Sequence, residues 1–147
     1  MGPAGAKRSD SDGTAIRRPN RRSLQIRLQA RPEFVPSLRV QLRAWLKEVG
    51  AGKSEVFDVM LATTEAFTNA IKHPHEPTSH LVDVEGSLKD RCVTISIRDY
   101  GTWQSEQTRK EQGGLGLVLI EAVMDTVHVK RDVDGTTVTM QRALETD

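Results

Sequence analysis

Glu65 and Asn69 stand four residues apart in the stretch Thr64-Glu65-Ala66-Phe67-Thr68-Asn69-Ala70-Ile71-Lys72-His73. On a helix the two side chains share one face. A carboxylate there can accept a proton or orient an attacking hydroxyl. An amide oxygen one turn on is a neutral, hard ligand suited to Mg²⁺, whose other ligands would be phosphates and water. Alone, this spacing is more often a solvated helix face. Three later motifs change its weight. Asp99-Tyr100-Gly101 offers a carboxylate that can accept from an exocyclic amine such as that of adenine, and a glycine that lets backbone approach a flat ring. Gly113-Gly114-Leu115-Gly116-Leu117 exposes backbone N–H groups ahead of a helix, which makes a cradle for phosphate. Gly135-Thr136-Thr137 enters a strand from a tight turn, and a hydroxyl there could bond a buried base directly or through water.

The elements that must position these residues follow from periodicity. A helix is predicted over 54–72, with Ser54 as N-cap and Asp58 near its first turn. Val56, Met60, Thr63, Phe67 and Ile71 form its apolar stripe, with Asp58, Ala62, Glu65 and Asn69 opposite. The small side chains of Ala62, Ala66 and Ala70 let a ligand approach, and Pro74 and Pro77 end the helix. Upstream, Leu24, Ile26 and Leu28 alternate as a strand. A helix from about Pro36 to Val49 buries Leu38, Leu42, Trp45, Leu46 and Val49 and stops at Gly50. Downstream, Leu81, Val82, Val84 and Leu88 mark one strand, and Val93, Ile95 and Ile97 mark the next, which runs to about Asp99. Residues 86–91 are expected to turn between them. Residues 100–112 have neither period and read as a mobile loop. A helix then runs from the glycines to about Met124, packing with Leu117, Ile120 and Val123 or Met124. Val127 and Val129 make a strand, Asp134-Gly135 a hairpin turn, and Val138 and Met140 the last strand.

The order β-α-α-β-β-loop-α-β-β predicts an α+β fold: a two-layer α/β sandwich, a largely antiparallel sheet with helices on one face. It does not alternate as βαβα, and no G-x-x-x-x-G-K-[ST] is present, which argues against a Rossmann or P-loop fold.

The chain's 147 residues fit one domain, and 37% hydrophobic with 28% charged residues is globular composition. A net charge of +1 gives no case for direct nucleic-acid binding. The one cysteine, Cys92, lies in an apolar run and reads as a structural thiol. No apolar stretch approaches the ~20 residues that span a bilayer, and no secretory h-region is present, so no membrane role and a cytoplasmic location are expected. Residues 1–22 carry Lys7, Arg8, Arg17, Arg18, Arg21 and Arg22 with almost nothing apolar. They read as a disordered basic tail ahead of a domain at 23–145.

The four motifs, in this order and on these elements, resemble the superfamily of gyrase-type, heat-shock-chaperone, histidine-kinase and mismatch-repair ATPases. The compact size and the stretch 64–73 look most like the bacterial anti-sigma-factor serine/threonine kinases, over about residues 23–144. The resemblance implies a histidine-kinase-like ATPase fold, ATP and Mg²⁺ as cofactors, and a protein serine as acceptor. It implies Glu65 as general base and Asn69 as Mg²⁺ ligand. Asp99 would hold the adenine amine, with Gly101 beneath the ring. Gly113, Gly114, Leu115, Gly116 and Leu117 would wrap the phosphates, and Thr137 would close the adenine pocket. Residues 102–112 would be the lid. Arg39 stands where such kinases meet the sigma factor or its antagonist. The partners implied are a sigma factor and an anti-anti-sigma protein, which together make a partner-switching regulator of transcription. Kinases of this type often form homodimers, although no exposed apolar stripe in the sequence requires one.

The sequence departs from the family at two places. The first glycine box is usually D-x-G-x-G, and here its last position is Trp103. Either that ring packs over the base or lid, or it weakens nucleotide binding. Pro74 and His75 replace the small and aromatic residues usual after His73. Two alternatives follow: a non-catalytic anti-sigma module that binds ATP as a structural ligand, and a detached histidine-kinase catalytic domain. Against the second stand the short loop and the position of Glu65, since no phospho-accepting helix is expected ahead of the domain.

Overall fold

Alternating apolar residues and two amphipathic helices build one layer on another. The computed structural model describes residues 22–72, 79–101 and 117–145. Strand β1 is Ser23–Gln29, followed by a 3₁₀ turn at Pro32–Phe34, helix α1 at Val35–Glu48 and helix α2 at Lys53–Lys72. Strands β2 (Leu81–Lys89) and β3 (Cys92–Asp99) come next. Residues 117–123 are helical and are called α3. Strands β4 (Thr126–Asp132) and β5 (Gly135–Ala143) complete the fold. The five strands form one sheet in the order β1-β2-β3-β5-β4, antiparallel at every pairing. The expected α+β sandwich is what forms.

The sheet's inner face carries Leu24, Ile26, Val82, Val84, Ile95 and Met140, all buried beneath α1 and α2. Leu38, Leu42, Trp45 and Leu46 of α1 meet them. The outer face carries Gln25, Asp83, Ser96, Thr139 and their neighbours, as period 2 requires. Helix α1 ends as its glycine predicts. Gly50 has φ +91°, its N–H donates to the Lys47 carbonyl, and the Ala51 N–H donates to the Leu46 carbonyl. This pair of bonds is a Schellman cap.

Four local expectations need correction. Helix α2 starts at Lys53, so Ser54 lies inside it and is not the N-cap. The cap is at Gly52, whose N–H donates 2.7 Å to Oε1 of the buried Glu55, while the Val56 N–H donates to the Gly52 carbonyl. A glutamate reaching back from the third helical position does the work assigned to serine. Burial opposes ionisation of Glu55, but hydrogen bonds from the Gly52 and Glu145 N–H groups hold its carboxyl below the usual range. Second, α2 buries more than one stripe. Ala62, Ala66 and Ala70 are buried with Met60, Thr63 and Phe67, because α2 is covered by both α1 and the sheet. Val56 and Ile71 are only half-buried. Asp58, read as a first-turn residue, bonds Arg142 of β5 at 2.9 Å.

Third, β2 does not turn at 86–91. It continues to Lys89, and only Asp90 and Arg91 turn, with φ 53° and 61°. Positive φ at both central residues is the turn whose twist suits a two-residue hairpin. Gly86 is in the strand because the Trp45 ring lies over it: a Cβ there would stand 3.0 Å from that ring. Fourth, the β4–β5 turn is Val133–Asp134, and Gly135 already pairs with Asp132. Asp132 Oδ1 accepts from the N–H groups of both Asp134 and Gly135. Glycine is required at 135 by crowding, since a Cβ there would lie 2.0 Å from the Asp99 carbonyl oxygen.

Candidate functional site

One cavity lies between α2, α3 and the inner face of the sheet at the end of β3. Helix α2 brings Asn69 to it, with Ala66 and Ala70 beside it. Strand β3 brings Asp99, and β5 brings Thr136 and Val138. Leu117 and Ile120 of α3 close the far wall. Asn69, Asp99 and Thr136 are the polar groups, and the remaining walls are apolar. Such a site suits a flat, partly polar ring.

The β3–β5 register decides which side chains point in. Asp99 pairs with Thr136, and Ile97 pairs with Val138, so these four share the inner face. Asp99 is half-buried, and its Oδ1 accepts from the N–H of buried Gly101 at 3.1 Å. Burial pushes its carboxyl above the usual carboxylate range, against the opposing hydrogen bond from Gly101. A carboxylate so desolvated gains when a donor is delivered to it.

Thr136 is 1% exposed, and its Oγ1 has no hydrogen-bond partner among the described residues. A buried hydroxyl in that state costs free energy unless something else meets it. Thr137, the threonine expected to close the pocket, faces the other way. Its Oγ1 accepts from Arg98 Nη1 at 3.0 Å on the sheet's outer face. The signal that picks the threonine facing the cavity is parity: Thr136 shares it with Val138 and Met140, which must face the core.

The other expected residues divide in two groups. Glu65 is half-buried on α2, one turn before Asn69, and is not on the cavity wall. The neighbouring Thr64 accepts at Oγ1 from Arg39 Nη1 at 3.2 Å, so Arg39 is half-buried against α2. Lys72 and His80 are exposed, and Cys92 is half-buried. Gly113, Gly114, Leu115 and Gly116, the loop 102–112 with Trp103, and His73 and His75 lie outside the described residues, as does the tail before Arg22.

The comparisons with known proteins agree with this fold. The model of the histidine kinase-like ATPase domain matches residues 28–142. Serine-protein kinase RsbW of Bacillus licheniformis is 30% identical, over 82% of this chain and 85% of its own length. Serine-protein kinase RsbW of Staphylococcus epidermidis is 31% identical, over 80% of this chain and 84% of its own. The crystal structure of the RsbU and RsbW domains of Rv1364c from Mycobacterium tuberculosis superposes with a TM-score of 0.70 at 30% identity. That match covers 85% of this chain and 33% of the larger one. The chain therefore belongs to the histidine kinase-like ATPase domain family, on the side of the RsbW serine-protein kinases that its motifs resemble.

Proposed function

We propose that this chain is an ATP-binding protein-serine kinase that also holds a sigma factor and phosphorylates the antagonist protein that would release it. One observation carries the nucleotide half of the reading. Thr136 lines a cavity with Asp99 and Asn69, and its buried hydroxyl has no hydrogen-bond partner among the described residues. A base bearing an exocyclic amine would bring Asp99 a further donor and offer the Thr136 hydroxyl a partner. The kinase half is supported by the printed names of the relatives and by the place of Glu65 on α2.

The roles follow from chemistry. Asp99 accepts from the base amine, and Thr136 takes the hydroxyl role assigned to Thr137. Apolar Ile97, Ile120 and Val138 exclude water from the ring. Among the described residues no group of three His, Cys, Asp or Glu side chains could hold a metal alone. Asn69 would therefore be one protein ligand to a Mg²⁺ completed by oxygens of the nucleotide and water. Gly113, Gly114 and Gly116 would present N–H groups to the phosphates. ATP supplies the phosphoryl group. Glu65 accepts the proton of the serine hydroxyl and aims its oxygen, and positioning and charge stabilisation do most of the remaining work. Arg39 would face the protein partners, which act with it in the cytoplasm.

The test is incubation with labelled ATP, Mg²⁺ and candidate antagonist proteins. Serine phosphorylation that disappears in Glu65→Ala, with ATP binding retained, supports the reading. Glu65 stands off the cavity wall, and that favours carrying a second reading: a non-catalytic anti-sigma module with ATP as a structural ligand. ATP binding without transfer to any partner would select it.

A further inference from the structure

Asp99 is the residue on which base recognition turns in the proposed site, and it sits at the very end of β3. Strand ends fray unless something holds them. Both of its neighbours in the chain are held, and both point away from the cavity. On one side, Arg98 donates from Nη1 to Thr137 Oγ1 at 3.0 Å and reaches both Asp132 carboxylate oxygens at 3.4 Å. On the other side, the Tyr100 hydroxyl donates to Asp83 Oδ2. Asp83 is fixed in turn by Arg27, with Nε to Oδ1 at 2.6 Å and Nη2 to Oδ2 at 3.0 Å. The Arg98 guanidinium lies 5.1 Å from the centre of the Tyr100 ring, which joins the two halves.

These six side chains run across the outer face from β1 at one edge to β4 at the other and involve all five strands. The Arg27–Asp83 ion pair is exposed on its arginine side, and pairs of that kind add little stability. Its consequence is geometric. Residues 98 and 100 are pinned outward, so residue 99 must point inward. The start of β5 adds a third restraint, since the bare Cα of Gly135 packs against the Asp99 carbonyl.

We propose that Tyr100 is a positioning residue for Asp99: held by Asp83 and Arg98 on the outer face, it fixes the aim of the Asp99 carboxylate on the inner face and so sets the preference for a base with an exocyclic amine. The inference rests on the reading of Asp99 as the group that takes that amine. It extends the site to residues that no ligand in the cavity would touch.

The test compares two nucleotides, ATP and purine riboside triphosphate, which lacks the amine. Both are titrated with Mg²⁺ into the full chain and into Tyr100→Phe, Asp83→Ala, Asp99→Asn and the double variant Asp99→Asn/Tyr100→Phe. The full chain is expected to prefer ATP, and Asp99→Asn to lose that preference. Tyr100→Phe should lose about three- to tenfold in ATP affinity and keep its affinity for the purine analogue. Asp83→Ala, which removes the same bond from β2, should show the same selective loss. In the double variant the Tyr100 change should add nothing, because there is no carboxylate left to aim. A merely structural role would weaken both nucleotides together. Equal weakening of both, or an unchanged preference in Tyr100→Phe and Asp83→Ala, overturns the proposal while leaving Asp99 as the amine acceptor. A full chain that does not prefer ATP overturns the reading of Asp99 and the proposal with it.

Discussion

Replacing Thr136 with valine removes one hydroxyl and keeps the branched shape of the side chain. In the free protein that hydroxyl is buried and unpartnered among the described residues. A buried polar group left unsatisfied costs about 1–3 kcal/mol. Thr136→Val should therefore make the free protein more stable, by about 1–2 kcal/mol. For a chain of this size each kcal/mol moves the melting temperature by about 3 °C, so the expected rise is about 3–6 °C. Nucleotide binding should move the other way. Loss of one hydrogen bond to the base weakens binding about three- to tenfold. Differential scanning calorimetry of the free protein and isothermal titration with Mg²⁺-ATP measure the two effects on one preparation. Thr137→Val is the internal control. Its hydroxyl serves Arg98 on the outer face, so it should not raise stability. A Thr136→Val protein that melts no higher and binds ATP as the wild type does would refute the assignment of this hydroxyl to the ligand.

Three further outcomes follow from the same structure. Asp99→Asn should stabilise the free protein near neutral pH, because burial holds the Asp99 carboxyl above its ordinary pKa. A raised folded pKa gives stability that is present below the unfolded value and lost as pH rises through the folded one. The gap between variant and wild type should thus widen from acid toward neutral pH in thermal melts, and a constant gap would contradict it. Asp83 has the opposite sign: its hydrogen bond from Arg27, against burial, holds the carboxyl low, so its contribution is present above the unfolded pKa and fades on acidification, and Asp83→Ala should flatten the acid limb of the melting curve. Gly86→Ala should destabilise the fold by about 1–3 kcal/mol in denaturant titration, because the new Cβ meets the Trp45 ring at 3.0 Å and Ile95 at 3.2 Å.

Much of this fold is legible in the sequence because period and cap chemistry are local. Leu24, Ile26, Val93, Ile95 and Ile97 announce their strands by alternation, and Gly50 announces the end of α1. Gly86 misleads because its reason is distant: a tryptophan ring from α1, not a turn, demands the missing side chain. Ser54 misleads because a glutamate one residue further along satisfies the helix start instead. Asn69 and Asp99 reach one cavity as their motifs promise. Which of Thr136 and Thr137 faces the cavity is a matter of parity, which the flanking Val138 and Met140 already encode. The outer-face chain from Arg27 to Asp132 was not legible, since it depends on which strands lie side by side, and the crossover that places β5 between β3 and β4 has no local signature.

Asn69 and Asp99 frame the cavity on the α2–β3 side of the sheet, and the proposed function makes it a Mg²⁺-nucleotide site. The most direct measurement is a calorimetric titration of ATP into the wild type and Asn69→Ala, each with and without Mg²⁺. Mg²⁺-dependent binding is expected in the wild type. Asn69→Ala is expected to lose the Mg²⁺-dependent part with an unchanged melting temperature for the free protein. No Mg²⁺-dependent binding in the wild type, or identical titrations in the two proteins, would contradict the proposed site.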